Sequence, residues 1–197
     1  ARLAKDEQVE LLCIGTEYRY AVIQRPSFWK ELINEIREVY EGELTYASNW
    51  DNYENVGFWE ELDFIGIDAY FPLSEEKQPG LEEMTEAWQP IKKKILELSN
   101  RADRPILFTE YGYRSIPFTA RGNWKNDQIS ETDQKGQANA YEALYQTWWN
   151  EPNFAGGFLW KWHPADSLYQ LKGAKGRFSP QGKAAESVIS QQYLGLN

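Results

Sequence analysis

Two glutamates stand in similar settings far apart in the chain. Glu17 lies in Gly15-Thr16-Glu17-Tyr18 and Glu110 in Thr109-Glu110-Tyr111-Gly112-Tyr113. Each follows a short apolar run, residues 9–14 in one case and 105–109 in the other. Runs of this length, too short for an ordinary helix, read as buried strands. Two carboxylates facing each other across a cleft can break a glycosidic bond. One, kept protonated, gives a proton to the leaving oxygen, and the other attacks the anomeric carbon. A carboxyl separation of about 5–5.5 Å goes with retention and about 6.5–9.5 Å with inversion. A lone glutamate at a strand end is commonly a solvated or capping residue. The matched, aromatic and glycine-flanked contexts single out this pair.

The elements that must hold the pair alternate along the chain. Strands are expected at 9–14, 44–48, 64–70, 105–109 and 155–160. Helices are expected at 27–40, 81–102, 133–150 and 181–191, with a turn at 58–62. Ser27 is the candidate N-cap and Gly42 the candidate C-terminal glycine of the first helix. Pro90 would kink or restart the second. The third carries Ala138, Tyr141, Leu144, Tyr145 and Trp148 on its inner face. Such alternation implies right-handed parallel βαβ units. No phosphate-cradling glycine motif follows any strand, so nucleotide-binding folds lose support.

The strand ends share a character. Beyond the two glutamates, the second strand ends in Ser48-Asn49-Trp50-Asp51, the third in Asp68-Ala69-Tyr70 and the fifth in Trp160-Lys161-Trp162-His163. Polar and aromatic residues thus collect at the carboxyl ends, the face on which α/β barrels build active sites. A complete (β/α)8 TIM barrel takes about 250 residues, and this chain has 197. The expected fold is therefore α/β, the C-terminal portion of one TIM-barrel domain over residues 1–197, with three units absent. Open sheet edges would need a preceding segment or another chain to cover them, and the segment alone is not expected to be a stable monomer.

The net charge of −9 argues against a nucleic-acid partner. Lys92-Lys93-Lys94, beside Glu82, Glu83, Glu86 and Glu97, reads as a solvated helix face. Cys13 is the single cysteine, so no internal disulfide forms, and it is expected to be a small buried hydrophobe. One histidine and one cysteine exclude a Cys/His zinc site, and no metal or cofactor is expected. No apolar run reaches the roughly 18 residues of a membrane span. The first residues are not a signal peptide, which leaves a secreted or periplasmic location open. Trp and Tyr are abundant, 9 and 12, and such rings pack against sugar faces as well as in cores. Trp59, Trp88, Trp148 and Trp149 fall on packing positions, whereas Trp124 is a candidate distal sugar platform. His163 is a rim or subsite candidate, and Arg114 is expected to steady the loop after Glu110.

The motifs Gly15-Thr16-Glu17 and Thr109-Glu110-Tyr111-Gly112-Tyr113 resemble the acid/base and nucleophile motifs of clan A retaining glycoside hydrolases, at the ends of barrel strands four and seven. The five strands would then be strands four to eight. Within the clan the chain most resembles glycoside hydrolase family 113, known for β-mannanases. The likeness rests on residues 44–50, 58–73 and 110–115. It implies a retaining, two-glutamate double displacement on a β-linked glycan, β-1,4-mannan first. Glu17 would be the acid/base and Glu110 the nucleophile. Tyr70 would hydrogen-bond the nucleophile, and Trp160 would lie under the sugar at the cleavage point. Asn49 and Trp50 would line an adjoining subsite, and Asp68 would contact sugar hydroxyls or cap the strand. Thr16 departs from the clan pattern, which has Asn there to bond the sugar 2-hydroxyl. The alternatives are a hydrolase of another β-glycan, such as a β-glucan, and a barrel that binds carbohydrate without turnover.

Overall fold

The computed structural model describes residues 1–122, 131–164 and 177–195. Five parallel strands form one sheet in chain order: β1 (Leu11–Thr16), β2 (Glu43–Asn49), β3 (Ile65–Asp68), β4 (Ile106–Tyr111) and β5 (Phe154–Leu159). The main helices between and after them are α3 (Pro26–Arg37), α4 (Leu81–Ala102), α5 (Gln134–Trp148) and α6 (Ala184–Leu194). Two short helices, α1 (Arg2–Asp6) and α2 (Arg19–Gln24), add to the expected set. This succession of βα units is the architecture of the (β/α)8 barrel.

Burial follows sheet position. Every residue of β3, at the centre of the sheet, is buried. The edge strands β1 and β5 only alternate between half-buried and exposed. Cys13 is accordingly exposed, not buried: β1 has one neighbouring strand, so its side chains are not covered on both faces. The Cys13 thiol donates to the carbonyl of Gly15 at 3.2 Å.

Several element ends differ from expectation. Helix α3 starts at Pro26, with Arg25 as the N-cap in place of Ser27; proline suits a first helical position because its missing N–H is not needed there. Gly42 does not cap α3, which ends at Arg37. A Cβ on Gly42 would lie 2.3 Å from the Tyr40 hydroxyl, so the glycine admits that ring. The Tyr40 hydroxyl in turn donates to the Val9 carbonyl at 2.6 Å. Helix α4 runs unbroken through Pro90. Helix α5 is capped by Asp133, whose carboxylate accepts from the Gly136 N–H at 2.8 Å. Lys93 and Lys94 are solvated, but Lys92 is not: its ammonium donates to the Thr147 carbonyl at 2.8 Å and pairs with Glu151 at 2.9 Å.

The chain divides into two compact units. One comprises Ala1–Ala69, Lys94–Glu110 and Pro152–Gly157, and the other the remaining described residues. The first has an aromatic centre in which Trp29 stacks on Phe58 (centroids 5.4 Å, 17°) and meets Tyr46 edge-on at 5.2 Å. The second is built around Trp88, edge-on to Phe71 at 5.4 Å and to Trp148 at 6.0 Å. Trp59, Trp88 and Trp148 are buried as expected, and Trp149 packs against Tyr145 at 4.7 Å.

Candidate active site

The turn after β1 presents Glu17. Its backbone has φ +56°, a left-handed conformation uncommon for a residue with a side chain. Such residues persist where their surroundings over-determine them, and here three hydrogen bonds do so. The Glu17 N–H donates to the Ala47 carbonyl at 2.9 Å, and the Arg19 N–H donates to the Glu17 carbonyl at 2.8 Å. The Tyr18 N–H donates to the hydroxyl of the buried Tyr46 at 2.7 Å. Gly15 is required below the turn: a Cβ there would sit 2.9 Å from the Trp29 ring and 3.2 Å from that of Tyr46.

Strand register sets the other carboxylates. Asn49 pairs with Asp68, and Asp68 with Glu110, so the three lie side by side across β2, β3 and β4. The β3–β4 register slips between Ile67 and Asp68: Ile67 faces Phe108, but Asp68 faces Glu110. Thr109 is the extra residue, and its hydroxyl donates to Asp68 Oδ1 at 2.7 Å. A second slip lies between Cys13 and Thr16, just before Glu17. Irregularities of this kind re-aim side chains, and here one precedes each candidate glutamate.

The carboxyls act on one another. Glu17 keeps access to water, yet its carboxyl is raised above the usual range, first by partial desolvation and then by the charges of Glu110 and Asp51, with Arg19 opposing. Arg19 forms an ion pair with Asp51. Asp68 is pushed up to about 7, mainly by burial, with Glu110 and Glu17 adding to the effect and the Thr109 hydroxyl opposing it. Asp68 Oδ2 is buried and receives no N–H or O–H among the described residues. The Asp68 carboxyl does meet that of Glu17. Two carboxylates offer only acceptors to each other, so this contact is attractive only when one carries a proton. Asn49 Oδ1 is likewise buried without a donor among the described residues.

Known proteins share this arrangement of the chain. The family model of Glycoside Hydrolase Family 113 matches residues 1–183. The chain belongs to this family. Its fold is similar to that of the GH113 β-mannanase AaManA from Alicyclobacillus acidocaldarius, with TM-score 0.81 and 26% identity, covering 100% of this chain and 58% of that one. A second GH113 β-1,4-mannanase structure matches with TM-score 0.81 and 25% identity over 98% of this chain and 58% of its own. A β-glucuronidase of Faecalibacterium prausnitzii shares the fold at 13% identity, with TM-score 0.65, over 95% of this chain and 32% of its own. The family 113 chain thus spans just over half the length of its family's solved structures. No curated protein matches it.

The compact unit of Glu17 holds most of the predicted site residues of this family 113 chain: Thr16, Asn49, Trp50, Asp68 and Glu110. Thr16 is exposed and Trp50 half-buried. Tyr70 and Trp160 belong to the other unit. There the Tyr70 ring meets Phe178 edge-on at 6.2 Å. Trp160 is 42% exposed, and its N–H donates to the Tyr111 carbonyl at 2.7 Å. The backbone of His163 is clasped by the Gln181 amide, at 2.8 and 2.9 Å. The Arg114 carbonyl accepts from the Thr119 hydroxyl at 2.6 Å within the loop after Glu110. Trp124 lies outside the described residues. Sequence reading missed Arg19, and it named Tyr46, Asp51 and Thr109 only as parts of strand or strand-end motifs. Among the described residues no His, Cys, Asp or Glu group of three or more is arranged to hold a metal ion, and no helix is long and apolar enough to cross a membrane.

Proposed function

We propose that the protein containing this chain is a glycoside hydrolase that cleaves β-1,4-mannan with retention, by double displacement. The observation that carries the reading is the raised carboxyl of Glu17, lifted first by partial desolvation and then by the charge of Glu110. A general acid needs its proton near neutral pH, and a nucleophile must be ionised. Glu17 is therefore the acid/base and Glu110 the nucleophile. Family membership supports mannan as substrate, since solved family members similar to this chain are β-mannanases. Asn49 Oδ1, buried and lacking a donor among the described residues, suits a sugar hydroxyl. Trp50 and Thr16 complete this side of the subsite. Tyr70 as donor to the nucleophile and Trp160 as sugar platform rest on the family resemblance alone.

The test uses the intact protein on β-mannan, β-glucan and xylan oligosaccharides, with the first-formed product anomer read by NMR. Cleavage of mannan to the β-anomer is expected, with Glu17→Gln and Glu110→Gln losing at least about a hundredfold in kcat. An α-anomer formed first would overturn retention. Preferred cleavage of β-glucan would change the substrate. Binding of one glycan without cleavage of any would leave a carbohydrate-binding protein.

We further propose that the outer edges of β1 and β5 are covered by more polypeptide, of the same or another chain. The exposure of Phe158 (58%) on β5 and of Cys13 on β1 supports this. These 197 residues alone should self-associate in light scattering, and a cooperatively melting monomer would contradict the proposal.

A further inference from the structure

Asp68 has a coordination that a sugar ligand does not explain. It is 1% exposed. One carboxyl oxygen is committed to the Thr109 hydroxyl at 2.7 Å. The other is buried without a donor among the described residues, while the carboxyl as a whole meets that of Glu17. The register slip brings this about by placing Asp68 opposite Glu110 with Thr109 as the extra residue. An ionised Asp68 would bury a charge against two other carboxylates, which is costly. A protonated Asp68 satisfies the geometry. Its O–H donates to Glu17, and its other oxygen accepts from Thr109.

We propose that Asp68 is a positioning residue for the acid/base: it stays protonated in the working enzyme and donates its O–H to one oxygen of Glu17, leaving the other aimed at the glycosidic oxygen. When Glu17 gives its proton to the leaving group, the same O–H steadies the carboxylate that forms. No proton leaves Asp68, so it is not a second acid. The groups facing this pair are Glu110 on β4, Asp51 after β2, Arg19 on α2 and Tyr46 on β2. None of Glu110, Asp51 and Tyr46 carries a positive charge, and Arg19 is already paired with Asp51. The inference rests on the acid/base reading of Glu17.

The test compares Asp68→Asn and Asp68→Ala in the intact protein. An Asn amide can donate to Glu17 and accept from Thr109, whereas Ala can do neither. Asp68→Asn should keep kcat within about threefold, and Asp68→Ala should lose on the order of ten- to a hundredfold in kcat with KM little changed. The loss in Asp68→Ala should shrink on an aryl glycoside whose leaving group needs no proton. Infrared difference spectra near pH 6 should show a protonated carboxyl in the wild type that Asp68→Asn lacks, whether or not the protein is active. Equal kcat losses in Asn and Ala, or no such carboxyl band, would overturn the proposal. Glu17→Gln, assayed alongside, separates the two readings: if it stays active the acid/base assignment itself falls, and if it is inactive the fate of Asp68 is decided by its own variants and spectrum.

Discussion

The hydroxyl of Thr109 donates to the buried carboxyl of Asp68 at 2.7 Å, at the point where β3 and β4 slip register. That bond favours the ionised carboxyl but does not prevail: burial, Glu110 and Glu17 hold Asp68 at about 7, against 3.8 for an ordinary aspartate. Between these two values the folded chain keeps a proton that the unfolded chain has released. Stability must therefore fall as pH rises through this window. Asp68→Asn removes the titration and keeps the shape. The advantage of the variant over the wild type should be smaller at pH 5 than at pH 8. By pH 8 it should reach on the order of 4 kcal/mol if the full shift is expressed. Urea melts across pH 5–8 check this, and a gap that does not change with pH would show that folding leaves Asp68 unprotonated.

Tyr46 holds the Glu17 turn from beneath. Its hydroxyl accepts the Tyr18 N–H at 2.7 Å, and burial pushes the phenol up to about 12, so it stays neutral at working pH. Tyr46→Phe keeps the ring among Trp29 and Phe58 and removes only the acceptor. The orphaned N–H should cost about 1–2 kcal/mol in stability. With the turn loosened, kcat should fall further than KM rises. Unchanged kcat with lowered stability would mean that the bond supports the fold and not the placement of Glu17.

The larger features of this chain were legible in the sequence because they rest on periodicity and on apolar runs. The five strands and their order, the inner face of α5 apart from Ala138, which is only half-buried, and the packing of Trp88 and Trp148 all follow from such patterns. The errors lie at the ends and edges. Cys13 sits in an apolar run, but edge position decides exposure, and a run does not say whether its strand has one neighbour or two. Ser27 looks like a cap, yet Pro26 at the first helical position moves the cap two residues earlier, to Arg25. In the site, Glu17 and Glu110 were visible as strand-end residues. The two register slips were not, because a bulge depends on the partner strand. The Thr109–Asp68 bond and the Asp68–Glu17 contact follow from those slips and were hidden with them. Arg19 was missed because α2 has no long amphipathic pattern.

Gly15 offers a packing test of the same turn. An added Cβ would meet the Trp29 ring at 2.9 Å, and that ring cannot easily retreat because it already stacks on Phe58 at 5.4 Å. Gly15→Ala should destabilise by about 1–3 kcal/mol, as overpacking of a filled core does. Its urea midpoint should fall with an unchanged slope, and the displaced turn should lower kcat as well. A variant as stable as the wild type would mean that the aromatic cluster has room to shift.

Arg19 and Asp51 pull the Glu17 carboxyl in opposite directions. Arg19 favours its ionised form and Asp51 its protonated form, and they are paired with each other. Removing either leaves the other unmatched. Arg19→Gln should therefore raise Glu17 further and move the alkaline limb of kcat/KM to higher pH. Asp51→Asn should move the limb to lower pH. Both side chains are well hydrated, 42% and 36% exposed, so each shift should be no more than about half a pH unit. In 1 M salt, where charges are screened within about 3 Å, both shifts should nearly vanish. Shifts of the same sign in the two variants would mean that the pair acts by holding the turn and not by its charge on Glu17.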